Sequence, residues 1–286
     1  MSPPIIQENE FSQLKFTDPR NIQIFLQCLL IAYLSLVLNR EPMMLTSMIT
    51  VVSSCLSFIF FTQLFKLGFL DIRSSIISGL SIAIMLQASS HWYLVAACLI
   101  ASSSKFLLRS DGKHFFNPSN FAIACLLLLG TPCWLSLGSW NQSHIFLFFM
   151  AIIAVMLLSK INRLDLFCSY SLCYGVLILI RNLYLENPWH IFSHHFFQGS
   201  HFIFALLMLT DPVVTPNKKS GRIFFACIIA SLAFFGQHIL FIPDAPIYAL
   251  FIGSVFIPLI NKYLKGKSYQ WRSKNIHGQS PISFSA

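Results

Sequence analysis

The sequence predicts an all-α, polytopic integral membrane protein of about ten transmembrane helices, and three observations predict it. Hydrophobic residues fill 56% of the 286 positions and charged residues only 10%, where a soluble domain carries about a quarter charged. The mean hydropathy is +0.69. The apolar residues gather into stretches of helix length, and the basic residues fall almost wholly on one side of them.

The stretches run, in order, over 22–39, 43–64, 74–90, 92–108, 119–131, 143–159, 164–181, 189–210, 223–241 and 246–261. Before the first, residues 1–21 are polar and of mixed charge (Glu8, Glu10, Lys15, Asp18, Arg20), which reads as a cytoplasmic tail rather than a leader. Residues 22–262 form the transmembrane domain, and 263–286 a basic cytoplasmic tail. A full span needs about 20 residues. The short fifth stretch, and the short third one rich in Ser and Gly, therefore look like segments that line a cavity.

Ten crossings return both termini to the same side. With that count, Arg40 and Arg181 alone lie opposite, and every other basic residue of the 19 lies on the side of the termini. The positive-inside rule then makes the termini cytoplasmic. The same loop placement explains the excess of Lys and Arg without nucleic acid. In the tail KYLKGKSYQWRSK, the basic residues with Tyr269 and Trp271 suit either anionic lipid heads or a plain topology signal. All ten acidic residues sit in loops or at segment ends. Without a carboxylate at a segment centre, the chain is not expected to pump ions alone. The two five-segment halves have the odd count an inverted repeat requires, although no sequence echo links them. The eight Cys form no CxxC and read as packing residues.

Two motifs carry chemical information. RSDGKHFFNPSNFA, Arg109 to Ala122, joins the fourth and fifth stretches. Gly112 permits a turn, Asn117 is a helix cap and Pro118 the first helical residue. The free N–H groups and dipole of that helix start, with Lys105, Arg109, Lys113 and His114 around it, suit an anion such as phosphate. A capped helix start with ordinary interfacial bases is the plainer reading of the same residues. MLTDPVVTPNKKSGR, Met208 to Arg222, closes the eighth stretch with Thr210, Asp211 and Pro212. Its loop lies on the same face, so Asp211 is expected to pair with Lys105, Lys113 or Arg109.

FNPSNFA, followed by NPWH…HFFQGSHFIFALLMLTDPVVTPNKKSGRIFFA, resembles the RnfD family of membrane subunits from Rnf-type electron transport complexes over roughly 74–262. The related NqrB component of the sodium-pumping NADH:quinone oxidoreductase shares the pattern. The form R-x-x-G-K-H-x-F-N-P-S-N-F and the WLSLGSW at Trp134 to Trp140 are closer to the UnbU-like branch found with enediyne biosynthesis clusters. The resemblance implies a ten-helix fold akin to urea and ammonium channels, a bacterial inner (plasma) membrane, partner membrane or redox subunits, and work near flavin. Lys105, Arg109 and Lys113 would then offset phosphate charge. Asn117, Pro118 and Asn120 at the fifth helix start, with Thr210, Asp211 and Pro212, would complete the pocket. One departure stands out. Members with covalent FMN attach it to a Thr in Ser-Gly-Ala-Thr, and the nearest strings here, SGLS at Ser78 to Ser81 and LGTP at Leu129 to Pro132, do not match. A noncovalent flavin (FMN or riboflavin) or none remains, so a redox subunit and a non-catalytic one are both open. A channel or transporter for a small solute or product, and a scaffold, are the rival readings.

HIFSHHFFQGSH, His190 to His201, places four histidines in the eighth stretch. If that stretch is one helix, His190, His194 and His201 share a face within roughly 40°. His190 and His201 would lie about 16 Å apart, too far to share a metal, and His190 with His194 lack a third ligand, so no metal site is expected. Interfacial histidines, a polar cavity lined by His194, His195 and His201 and leading towards Asp211, or a haem completed by a His from another helix, in that order, are the readings left. Relatives carry His-x-x-x-Gly in this helix, so the resemblance favours His195 with Gly199.

Overall fold

The computed structural model describes residues 18–36, 43–66, 71–110, 113–136, 152 and 155–269. Gly112, Arg40, His144, Trp140, most of the sixth stretch and most of both tails lie outside the described residues. The chain is mostly helical, with α1 Pro19–Leu36, α2 Met43–Leu64, α3 Arg73–Met85, α4 His91–Leu107 and α5 Pro118–Leu128 in its first half. A helical stretch at 155–161 (α6) precedes α7 Leu164–Tyr184, α8 Trp189–Phe196, α9 Gly199–Phe204, α10 Lys219–His238, α11 Ala245–Ser254 and α12 Ile257–Tyr263.

Among the described residues three helices, α2, α7 and α10, are long and apolar enough to cross a membrane, and α11 with α12 makes a fourth if that pair is one span bent by 47°. Pro258, at the start of α12, supplies the bend, because it removes an N–H and crowds the preceding turn.

Two short helices are completed by extended backbone. α3 has 13 residues and α5 has 11, giving lengths of only ~20 Å and ~16 Å at 1.5 Å per residue. Each continues into a three-residue strand, β1 Leu86–Ala88 and β4 Cys133–Leu135, and the two strands pair antiparallel with Leu86 opposite Leu135. Gly130, at φ +65, turns the chain between α5 and β4. The pairing, extended by Ser136 N–H to Met85 O at 2.9 Å and Ser89 N–H to Pro132 O at 3.1 Å, satisfies backbone that a membrane interior would leave unpaired. The sequence expectation of plain helices over 74–90 and 119–131 is therefore modified at their C-terminal ends.

Small side chains set the close packing of α3. Ser54 Oγ donates to Ser75 O at 2.9 Å, Ser75 Oγ donates to Ser54 O at 2.6 Å, and a Cβ on Gly79 would meet Thr50 O at 2.9 Å. Such small-residue faces let helices approach where no hydrophobic difference from lipid drives them together. α1 joins through Gln27 Nε2 to Ser81 Oγ at 2.7 Å. At its start, Asp18, Arg20, Asp71 and Arg73 form a closed ring of ion pairs, including Arg20–Asp71 and Arg73–Asp18 at 2.8 Å.

α2 packs on α3 and α4, and α4 on α5; in the second half α7 packs on α8 and α10, and α10 on α11. α5 meets α11 across the halves. The eighth stretch is not one helix. α8 ends at Phe196, Gln198 is extended (φ −66, ψ 126), and α9 restarts at Gly199 before a π-helical turn over Ala205–Leu209. The single-face geometry expected for His190, His194 and His201 therefore does not hold.

Candidate functional site

The start of α5 is built as its residues dictate. The Asn117 side chain accepts from Asn120 N–H at 3.1 Å, and Pro118 occupies the first turn, where its missing N–H is no loss. The same amide reaches across the molecule. Asn117 Nδ2 donates to Met208 O at 3.2 Å and lies a long 3.5 Å from Asp211 Oδ2. The two motif loops thus converge. Asn120 Nδ2 donates to Ile247 O at 3.2 Å, tying α5 to α11, while its buried Oδ1 has no hydrogen-bond partner among the described residues.

Around this contact stands a set of cations. β2 Arg109–Ser110 and β3 Lys113–His114 form a minimal hairpin with Arg109 opposite His114. Lys113 Nζ donates to Asn217 Oδ1 at 2.8 Å and Thr215 O at 3.3 Å, so it clasps the far loop. Lys105, buried near the end of α4, donates to Ser74 O at 2.9 Å and lies over the Phe58 ring at 5.7 Å. Arg109 is exposed at the hairpin base. Thr210 turns back to its own helix, donating to Leu206 O at 2.7 Å, and Pro212 offers its carbonyl instead of a side chain.

Sequence reasoning missed Arg163. Its side chain is almost fully buried and holds the Asp-Pro loop from the other side, with Nε to Thr215 Oγ1 at 2.8 Å and Nη2 to Pro212 O at 3.0 Å. Asn162, at φ 55, turns the chain so that Arg163 points inward. The available signal was an Asn-Arg pair between two apolar stretches. Nearby, Arg222 closes on Asp165 at 2.6 Å and donates to Asn217 O at 3.1 Å.

The electrostatics follow from burial. Burial pushes the Asp211 carboxyl above its ordinary value, while the Val213 N–H and the charges of Lys105, Arg163 and Lys113 pull against that rise. Burial, then the nearby charges of Lys105, Arg109 and Lys113, push His114 down to about 3, so it is neutral at pH 7. Arg163 falls to about 10, chiefly through burial and then the charge of Arg222, and it remains a cation. Among the described residues Asp211 thus faces the cations Lys105, Arg163 and Lys113, while Asp165 is paired with Arg222 and also acts on Arg163, so positive charge exceeds negative and the local field favours an anion.

The histidines separate. His190 and His194 are exposed, and His195 is partly buried, with its ring 5.2 Å from that of His238. His201 is buried against the rings of Tyr174 at 4.3 Å and Tyr170 at 5.0 Å, and it lines a small cavity that neither His194, His195 nor Asp211 lines.

Residues 128–270, half of the chain, match the model of the NQR2, RnfD, RnfE family. The chain belongs to that family. Among its relatives, the D-type subunit of the ion-translocating oxidoreductase complex from Psychromonas ingrahamii is 29% identical over 136 residues, 47% of this chain and 39% of that protein. Its counterpart from Buchnera aphidicola subsp. Acyrthosiphon pisum is 28% identical over 131 residues, 46% of this chain and 37% of its own length. The matches thus span well under half of these relatives. Asp211 and Arg163 fall inside the stretch that matches the NQR2, RnfD, RnfE model, and Asn117 falls before it.

Proposed function

We propose that the chain is an RnfD-like membrane subunit of a flavin-linked transmembrane electron transport system, holding a noncovalent flavin at the cation-lined junction of its Asn-Pro and Asp-Pro loops. The observation that carries this reading is the convergence of the two loops: the Asn117 amide spans from the α5 start to Met208 O and the Asp211 carboxylate, with Lys105, Lys113 and Arg163 around them. The residues fit the charge of a flavin phosphate. Lys113 and Arg109 would face it from the hairpin, the Ser119 N–H in the first turn of α5 would donate, since the Asn120 and Phe121 N–H groups are already bonded to Asn117, and Asp211 would accept from a polar N–H or hydroxyl. When bound, a flavin supplies transfer of one or two electrons. The protein's part is to orient it, balance its charge and keep the loops closed.

The rest of the reading follows from the same chain. It has ten crossings in a bacterial inner membrane, both termini cytoplasmic with the cluster at that end, and partner redox or membrane subunits. Its two halves are inverted repeats, which the matching packing of α2 with α3 and α4, and of α7 with α8 and α10, supports.

The test is an absorption spectrum from about 350 to 600 nm of the detergent-purified protein before and after acid precipitation. A flavin band released to the supernatant supports the reading, and a blank spectrum overturns it. A second reading, a channel or transporter for a small solute or product, is favoured by α3 and α5, short helices completed by paired strands in the way cavity-lining segments are. Solute flux in liposomes without flavin would select it, and neither flux nor flavin would leave a scaffold.

A further inference from the structure

The break between α8 and α9 opens a cavity of about 20 Å³, whose polar lining comes from Tyr174, Gln198, Ser200, His201 and Gln237. That volume fits one water, which needs about 10–15 Å³ of such space and two to four polar partners. The second, independent observation is a missing bond. His201 is 7% exposed, it lines the cavity, and its Nε2 has no hydrogen-bond partner among the described residues. Buried ring nitrogens are rarely left so. The rings of Tyr174 at 4.3 Å and Tyr170 at 5.0 Å stack against the imidazole and limit how far it can turn to find a partner.

The cavity also has a latch. Tyr174 Oη donates to Gln237 Oε1 at 2.6 Å and lies 3.3 Å from His238 Nε2. Gln237 Nε2 in turn donates to Pro243 O at 3.1 Å. Tyr174 and Gln237 both line the cavity, and beyond them lie the partly buried His238 and His195.

We propose that this cavity is a binding site for a single water-sized, neutral, hydrogen-bonding molecule, normally water, held on His201 Nε2 and exchanged with the end of the bundle that bears His195 and His238 when the Tyr174–Gln237 bond opens. Nothing in the flavin reading requires this site, and its outcome is independent of flavin content.

The test is water-edited solid-state NMR of the full chain, uniformly labelled with nitrogen-15, in lipid bilayers, with His201 assigned through its backbone. The probe is water itself. Transfer from water protons to the His201 ring nitrogens, with the buried Ile203 and Phe204 amides remaining dark, is the expected result. A His201 ring as dark as those amides means an empty void and overturns the site. Gln237→Leu removes the acceptor of the latch and should speed exchange at His201 severalfold while leaving exposed His190 unchanged. An unchanged His201 rate overturns the latch. The first measurement needs only the unmutated protein, so misfolding of the variant does not shield the proposal.

Discussion

The two polar regions of this molecule bond their buried side chains to different extents. At the basic end, Asn117, Lys113, Arg163 and Arg222 each reach at least two partners, and their bonds tie loops far apart in sequence. Around the broken eighth segment, His201 Nε2 and the hydroxyl of Tyr170 on α7 are buried with no hydrogen-bond partner among the described residues, and at the basic end Asn120 Oδ1 and Asp165 Oδ1 are left in the same way. A satisfied network fixes a geometry, whereas an unsatisfied group adds little until something arrives to pair with it. The first region thus holds its loops in one arrangement through its many cross-loop bonds, and the second carries polar side chains to which the described residues offer no bond.

The largest effects should come from breaking the satisfied side. Arg222→Met leaves the Asp165 carboxylate facing a side chain that cannot pair with it. Removing one partner of a buried ion pair costs about 3–5 kcal/mol, and the side chains here are 8% and 12% exposed. Thermal unfolding in detergent should show a large fall in midpoint, and the double variant Arg222→Met with Asp165→Leu should recover much of it. Asn117→Ala comes next. It removes the cap of α5, worth about 1 kcal/mol, and leaves the Met208 carbonyl without its side-chain donor, for a sum of about 2–3 kcal/mol. Asn117→Asp retains the cap yet sets a second carboxylate beside Asp211, so stability intermediate between wild type and Asn117→Ala would separate the cap from the cross-loop bond.

These contrasts explain which parts could be read from the sequence. Expected spans 43–64 and 164–181 correspond to α2 Met43–Leu64 and α7 Leu164–Tyr184, because long apolar runs between polar breaks leave the chain few choices. Asn117 and Pro118 were legible as a helix start because capping is local. The β1–β4 pairing was not, since Leu86 finds Leu135 through tertiary packing and three-residue strands have no periodicity to detect. Arg163 was hidden for the same reason: its partners lie about fifty positions away. The break at Gln198 was foreshadowed only by Gly199, a poor helix former that is tolerated in membrane helices often enough to be no signal alone.

Smaller effects come from charge. His114 has its proton affinity depressed to about 3 from 6.5, so the folded state resists a proton that the unfolded chain accepts. Its contribution is fully present above pH 6.5 and drains away as pH falls from there towards about 3. Asp211 has the opposite sign. Its raised value means that ionised Asp211 opposes folding, and the opposition eases as pH falls through its folded pKa. Melting curves across that range should show His114→Gln flattening the acid-side loss, and Asp211→Asn steepening it by removing the compensating group. Asp211→Asn should also lower flavin occupancy if the cofactor sits between the loops, and unchanged occupancy would remove Asp211 from the site.

The smallest stability change is expected at the broken eighth segment, from His201→Phe. Phe retains the stacked position against Tyr170 and Tyr174 and removes the Nε2 that has no partner among the described residues. If the cavity were dry, this swap would relieve an unsatisfied buried group and raise stability by about 1–3 kcal/mol. A water bound to Nε2 changes the balance, because the variant then gives up one water-mediated bond in exchange for the relief, and the net falls to within about 1 kcal/mol of zero. A clear rise in melting temperature would therefore argue for a void, and a near-neutral result for an occupied site. The contrast with Arg222→Met then rests on how each buried polar group is satisfied: Arg222 by the protein itself, and His201 by a guest the protein leaves room for.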